Sequence, residues 1–399
     1  MLAALILIAV AILTFMFYKK SSKTQLPEPT PQIQEHEAPK KQKQHPKQKL
    51  KPIKAVEFTN PNLVSVLKNH SDTVTSLSVS QNEKYILSTS DDRTVCLWLV
   101  KTIGKGNRHG KTAVAQDRSF SGEITPDGKC VVLGLDFGNK CRVLKVDSET
   151  MKLTEVSDLP VVDESKNLVS ISFGFSCKAR NTVKQLNHPW VAGLLQPSKG
   201  KQFISVQSLK GTVIEPTPID PSLGDINSVK ASGQFFGACG FASQLKVYKV
   251  TDNNFKVEQS LSISHSGQVY DFAFDGNFEN NVDPNSGWCL GGKIATLTKS
   301  KISVYEIDER GGHSKVLKQI DSGVCNEVFG DSDFKPKIEF CYPSLVIVKG
   351  ADVVVLNVDT EEVESYKKVY QEVIKDVKIL AKNRMIVTAG GRFIKVLKY

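Results

Sequence analysis

This sequence of 399 residues lacks the usual signatures of catalysis. It contains no G-x-S-x-G nucleophile elbow, no phosphate-cradling G-x-x-x-x-G-K-[ST] loop and no H-E-x-x-H helix. The serine-hydrolase, P-loop and zinc-peptidase chemistries therefore have no residues to carry them. Its eight cysteines, spread from Cys96 to Cys341, include no C-x-x-C pair, which excludes zinc ribbons and fingers. Their wide spacing, in a chain able to bury a large core, fits free thiols better than a disulfide framework. Histidine is scarce and scattered: His109 and His188 read as loop or surface residues, and Asp91 and Asp92 as turn carboxylates. No enzymatic activity, metal or cofactor is expected.

An excess of one charge is missing from most of the chain. The total is +10, from 52 Lys and Arg against 42 Asp and Glu, but residues 19–54 hold ten lysines against Glu28, Glu35 and Glu37, a net of +7. The remaining +3 leaves the body nearly neutral, whereas a nucleic-acid-binding domain concentrates basic residues on one face. Residues 19–54 are rich in Lys, Gln and Pro and poor in large apolar side chains, so they read as a disordered linker whose lysines can rest against anionic headgroups. Residues 1–18 carry no charge and end at Lys19-Lys20. As a helix they reach about 27 Å, close to the hydrocarbon thickness of an endoplasmic-reticulum bilayer. A cleaved signal peptide needs basic residues ahead of the apolar run and a small-x-small cleavage site, and neither is present. Residues 1–18 are thus expected to be a transmembrane signal-anchor helix, and the positive charge behind it places the body in the cytosol.

Sustained helical periodicity is absent from residue 55 onward. Short β-branched runs such as VTSLSVS (74–80), TVCLWLV (94–100), CVVLGLD (130–136), DVVVLNV (352–358) and FIKVLK (393–398) alternate with Gly, Asn, Asp and Lys turns, which predicts an all-β body over 55–399. A strand, tight turn, strand pattern recurs, its second strand ending near Trp98, Leu144, Val206, Tyr248, Tyr305, Leu356 and Leu397. Seven units of about 49 residues are the spacing of a β-propeller. The third unit rests on spacing alone. An orphan strand, LVSVL (63–67), precedes the first unit. Pairing it with the last unit closes the ring and removes an exposed sheet edge.

Residues 70–98, HSDTVTSLSVSQNEKYILSTSDDRTVCLW, resemble a repeat of the WD40 family. The resemblance implies a seven-bladed WD40-type β-propeller. It also implies a structural hydrogen-bonded tetrad of His70 entering the unit, Ser88 on its second strand, Asp92 in the tight turn and Trp98 on the third strand. Such a set satisfies polar groups that burial would otherwise leave unpaired. The other units depart from the pattern: Asp92 is replaced by Gly138, Ala242, Lys299, Gly350 and Gly391, and Trp98 by Leu144, Tyr248, Tyr305, Leu356 and Leu397. Only the fifth recovers an entering histidine, His265.

The order of anchor, basic linker and divergent propeller resembles a group of endoplasmic-reticulum membrane proteins with a cytosolic WD40 domain. That resemblance implies a non-enzymatic scaffold for protein partners in the unfolded protein response. It would associate with the membrane kinase that phosphorylates a translation initiation factor, with RNA or ribosomes as further partners and no small-molecule substrate. Loops on a rigid ring carry recognition, and Arg93, Lys299 and Arg392 fall in equivalent turns, a candidate surface for an acidic or phosphorylated segment. Two other classes compete. An exchange factor for a small vesicle-coat GTPase is disfavoured because the related propellers carry their span after the ring. A lumenal propeller hydrolase would need inward-facing carboxylates around a central Ca²⁺.

Overall fold

The computed structural model describes residues 58–114, 117–137, 139–160, 166–176, 187–197, 201–209, 217–218, 220–251, 256–276, 292–308, 313–321, 323 and 336–399. The expected transmembrane helix (1–18) and linker (19–54) lie outside the described residues. Among the described residues no helix is long and apolar enough to cross a membrane.

Seven four-stranded antiparallel sheets form, each one blade of a β-propeller. Their first strands, counted outward from the centre, are Val74–Val79, Ser119–Ile124, Lys166–Ser176, Ile226–Ser232, Val269–Phe274, Lys337–Cys341 and Ile374–Leu380 in blades 1 to 7. Blade 1 continues with Tyr85–Ser90, Thr94–Leu99 and His109–Ala113. Each blade is sandwiched between two neighbours, so its middle strands are buried on both faces. Tyr85–Ser90 and Phe235–Gly240 are buried at every position, so neither alternates between apolar and polar faces. The outermost strand His109–Ala113 instead alternates between exposed and half-buried positions.

The core is correspondingly divided into seven clusters, one between each pair of consecutive blades. Trp98 packs backward onto Val387, Ala389 and Val396 of blade 7. Leu144, Tyr248, Tyr305, Leu356 and Leu397 face their preceding blades in the same way. The third unit corrects the sequence reading by one position. Val206 packs forward against Phe236 and Tyr248 of blade 4, while Gln207 pairs with Val191 as Trp98 pairs with Ile86. A one-residue slip along a strand reverses the side-chain face, and this unit carries no motif to set the register.

Blade 7 has the third strand Phe393–Lys398, and its outer strand is Leu63–Leu67, with Leu63 opposite Leu397 and Leu67 opposite Ile394. The ring is therefore closed by two segments more than 300 residues apart. A chain beginning at Lys68 should lose about 3–5 kcal/mol, chiefly from burial of Leu67 and its partly buried neighbours. It should also expose the edge of Phe393–Lys398 and self-associate. Urea unfolding and size-exclusion chromatography check both expectations.

Six of the seven first strands carry a β-bulge near their start, immediately after the first paired residue at Val74/Ser76, Ser119/Ser121, Ile226/Ser228, Val269/Asp271 and Ile374/Asp376 and after the third at Leu168/Ser170. A bulge re-aims the residues that follow it. Here it accompanies a set of side-chain bonds from one blade to the backbone of the next. Ser76 accepts from Gly122 N–H at 2.9 Å, Ser172 from Ala231 N–H at 2.7 Å, Asp271 from Ile338 N–H at 2.8 Å and Asp376 from Leu77 N–H at 2.8 Å. At Gly122 the approach is close enough that a Cβ would meet Thr89 Cγ2 at 2.6 Å.

Candidate functional site

The polar residues of blade 1 are bonded to one another. Trp98 Nε1 donates to Ser88 Oγ at 2.9 Å, and Ser88 Oγ lies 2.8 Å from His70 Nε2. The Asp92 carboxylate beside Nδ1 can only accept, which places the proton of the neutral ring on Nδ1 and leaves Nε2 to accept from the Ser88 hydroxyl. Nδ1 faces Asp92 Oδ2 at 3.2 Å. Burial lowers the His70 pKa in spite of Asp92, in accord with the neutral ring. At Asp92 burial opposes ionisation, but hydrogen bonds from the Thr94 hydroxyl and the Ser71 N–H, with His70, hold the carboxyl well below the usual range. His70 is 6% exposed and Trp98 1%. In blade 5, His265 meets Tyr305 edge-on at 5.8 Å, but no carboxylate stands in the turn and His265 Nε2 has no partner.

Arg93 follows Asp92 in the left-handed region, φ 61°, and is exposed on the rim formed by the second-to-third-strand turns. Arg392 occupies the equivalent turn of blade 7 and lies over the Phe393 ring at 4.9 Å. Blades 7 and 1 are adjacent there, joined by Val74 N–H to Gly391 C=O at 2.7 Å. Ring order thus brings Arg93 and Arg392 onto neighbouring blades but leaves Lys299 on blade 5, with blade 6 intervening. The same rim carries two residues that the sequence reading missed, Phe137 (68% exposed) and Phe241 (55%). Arg118 lies over Phe137 at 5.8 Å and bridges Asp91 and Asp136. The available signal was an aromatic in a tight turn, in DFGN and GFAS, where polar residues are usual.

The central channel holds a cavity of about 600 Å³, lined by the first strands and by the first-to-second-strand turns, including Ser80, Pro126, Cys341 and Lys382. It therefore opens on the underside, opposite the Arg93 rim. Lys378 Nζ stands 3.3 Å from Glu339, and Lys230 Nζ reaches Asp271 Oδ2 at 2.8 Å and the Ile338 carbonyl at 2.9 Å. Glu123 accepts from Ser78 Oγ at 2.7 Å, and burial pushes its pKa up to about 7. Burial opposes the Lys378 charge, but Glu339, Asp376 and Glu123 outweigh it and raise its pKa. Asp271 Oδ1 and both amide atoms of Asn227 also lie in this lining without partners.

Lys230 and Lys378 pair with two of the inward carboxylates, Asp271 and Glu339, and among the described residues no group of three or more His, Cys, Asp or Glu is placed to hold a metal ion. The sequence signal for the channel was charge at inward positions of otherwise apolar strands, as in SFSGEI, VYDFAF, KIEFC and IKDVKIL.

The structure is a closed seven-bladed β-propeller whose first blade carries a His–Ser–Asp–Trp network of the WD40 kind. The family model for the WD domain, G-beta repeat, matches residues 61–98, which run from the ring-closing strand to Trp98. The chain is similar to Transducin beta-like protein 2 of Homo sapiens, 21% identical over 366 residues that cover 90% of this chain and 76% of that protein. It is also similar to Transducin beta-like protein 2 of Mus musculus, 23% identical over 259 residues, 63% of this chain and 56% of that protein.

Proposed function

We propose that this protein is a non-enzymatic scaffold tethered to the endoplasmic-reticulum membrane with its propeller in the cytosol. There it holds the stress-response kinase that phosphorylates a translation initiation factor. The carrying observation is the closed ring, in which the one complete WD40 network is used internally while the rim of loops remains for partners. The similarity to Transducin beta-like protein 2 supports the particular setting.

Two features of the ring support the cytosolic side. Asn69-His70-Ser71 is a glycosylation sequon, yet Asn69 Nδ2 donates to Cys96 Sγ at 3.2 Å beside the buried His70. A glycan added there during translocation would take that donor and force bulk into the entry to the blade. Cys96, Cys130 and Cys141 carry free thiols, and burial pushes Cys96 and Cys141 up to about 12, so these two stay protonated, as suits a reducing compartment.

Protease treatment of sealed microsomes tests the topology. Residues 55–399 should be digested without detergent and Asn69 should carry no sugar, whereas a protected, glycosylated body defeats the reading. Partner choice is tested with the cytosolic part of the kinase and the full-length protein in detergent. Arg93→Ala with Arg392→Ala should weaken binding about tenfold, the loss of one or two charge-assisted contacts, with an unchanged melting temperature. Undiminished binding by this variant excludes the rim as the docking surface, and no binding by the wild type excludes the kinase.

A further inference from the structure

We infer that the underside of blades 7, 1 and 2 rests on an anionic phospholipid surface. The centre of this face is the loop between the third and fourth strands of blade 1, residues 100–108, which presents Lys101, Lys105 and Arg108 to solvent. The loop is built rather than loose. Thr102 Oγ1 donates to the Leu99 carbonyl at 2.7 Å and accepts from Arg108 N–H at 2.9 Å. Asn107 accepts from Gly104 N–H at 2.9 Å and donates to Ser65 on the ring-closing strand at 3.0 Å. Gly104 and Gly106, at φ +75° and +112°, keep its tip bare of other side chains.

Three more exposed lysines adjoin the loop. Lys84 C=O accepts from Val100 N–H, Lys129 follows the Asp127 turn that Asn82 reaches, and Lys382 is tied to Glu83 through its own N–H. Lys145, Lys152 and Arg384 stand at the margins. These nine cations face Glu83, Asp127, Asp147 and Glu149. Glu83 holds the Lys382 and Asn383 turn, Asp127 pairs with Lys129 at 3.3 Å, and Asp147 holds the turn through Glu149 N–H and Thr150. The corresponding loop of blade 6 is acidic, with Asp359, Glu361 and Glu362, so the basic cluster does not extend to that blade.

Lipid fits this chemistry better than RNA. Among the described residues the exposed phenylalanines that could stack bases, Phe137 and Phe241, are on the opposite rim, and the patch is mostly lysine, the point charge that diffuse headgroup attraction uses. The chain also enters the ring on this face, where Asn62 C=O accepts from Lys398 N–H. The inference builds on the membrane-tethered reading, and the test separates the two.

Full-length protein is placed in phosphatidylcholine vesicles, with or without phosphatidylserine, and treated with an amine-acetylating reagent. With phosphatidylserine, Lys101 and Lys105 should react at least about fivefold more slowly, and high salt should abolish the difference. Lys299 and Lys368 on the rim should react alike in both vesicles. Lys101→Glu with Lys105→Glu, both at exposed positions, should release the protection of Lys84 and Lys129. Equal reactivity in the two vesicle types overturns the inference, as does equal protection by single-stranded RNA added to neutral vesicles. If the chain does not stay integrated in neutral vesicles, the anchor reading alone fails. The docking is then decided by presenting both vesicle types to the same protein from outside.

Discussion

Replacing Trp98 with Ala should destabilise the propeller by about 3–5 kcal/mol, the largest single-residue loss expected in the molecule. The indole is 1% exposed and fills the layer between blades 7 and 1, against Val387, Ala389 and Val396. It also lies 4.8 Å from the His109 ring and donates to Ser88. Its removal opens a cavity beside the blade that the ring-closing strand completes and leaves the Ser88–His70–Asp92 chain without its last donor. Trp98→Phe separates the two effects: most of the apolar area is kept, the Nε1 bond is lost, and the cost should be about 1 kcal/mol. Urea unfolding followed by circular dichroism measures both variants. A loss below about 1 kcal/mol for Trp98→Ala would show that the blade 7–1 layer repacks freely and that the network is dispensable.

Glu123→Gln should do the opposite. At pH 8 the variant should be more stable than the wild type by about 2 kcal/mol, and near pH 4 the two should be equal. The reason is the direction of the shift. Burial raises the Glu123 pKa from 4.5 to about 7, so between those values the unfolded chain releases a proton that the folded chain keeps. Wild-type stability therefore falls as pH rises through that window and is flat above it. Gln keeps the shape and has no proton to lose. His70 acts with the other sign: burial lowers its pKa from 6.5, so folding opposes protonation and stability falls as pH drops below that value. Chemical denaturation from pH 4 to 8 on both proteins checks the expectation, and identical pH profiles would refute the buried description of Glu123.

Strand pairs and turns were legible because each is local. DVVVLNV and FIKVLK are short β-branched runs bounded by turn residues, and burial on both sides of a blade makes the centre of such runs mostly apolar. Blade 1 was legible for the same reason: His70, Ser88, Asp92 and Trp98 lie within 29 residues, and the bonds that join them stay within one blade. The channel was not legible. Whether Glu123, Lys230, Glu339 or Lys378 points inward depends on register in the first strands, which bulges shift in all but blade 6, and their partners come from other blades. The same holds for Val206 and Gln207, where one position decides which neighbouring blade is met.

The sequence by itself determined the all-β composition, the number of strand pairs and the one WD40 network, since period-two patterning, turn chemistry and close spacing are properties of adjacent residues. Only the tertiary structure decided which charges meet in the channel, that Arg93 and Arg392 are neighbours while Lys299 is not, and that Lys84, Lys101, Lys129 and Lys382 share one underside. Those relations depend on ring order and strand register. They bring together residues from opposite ends of the chain, a distance over which no local pattern can act.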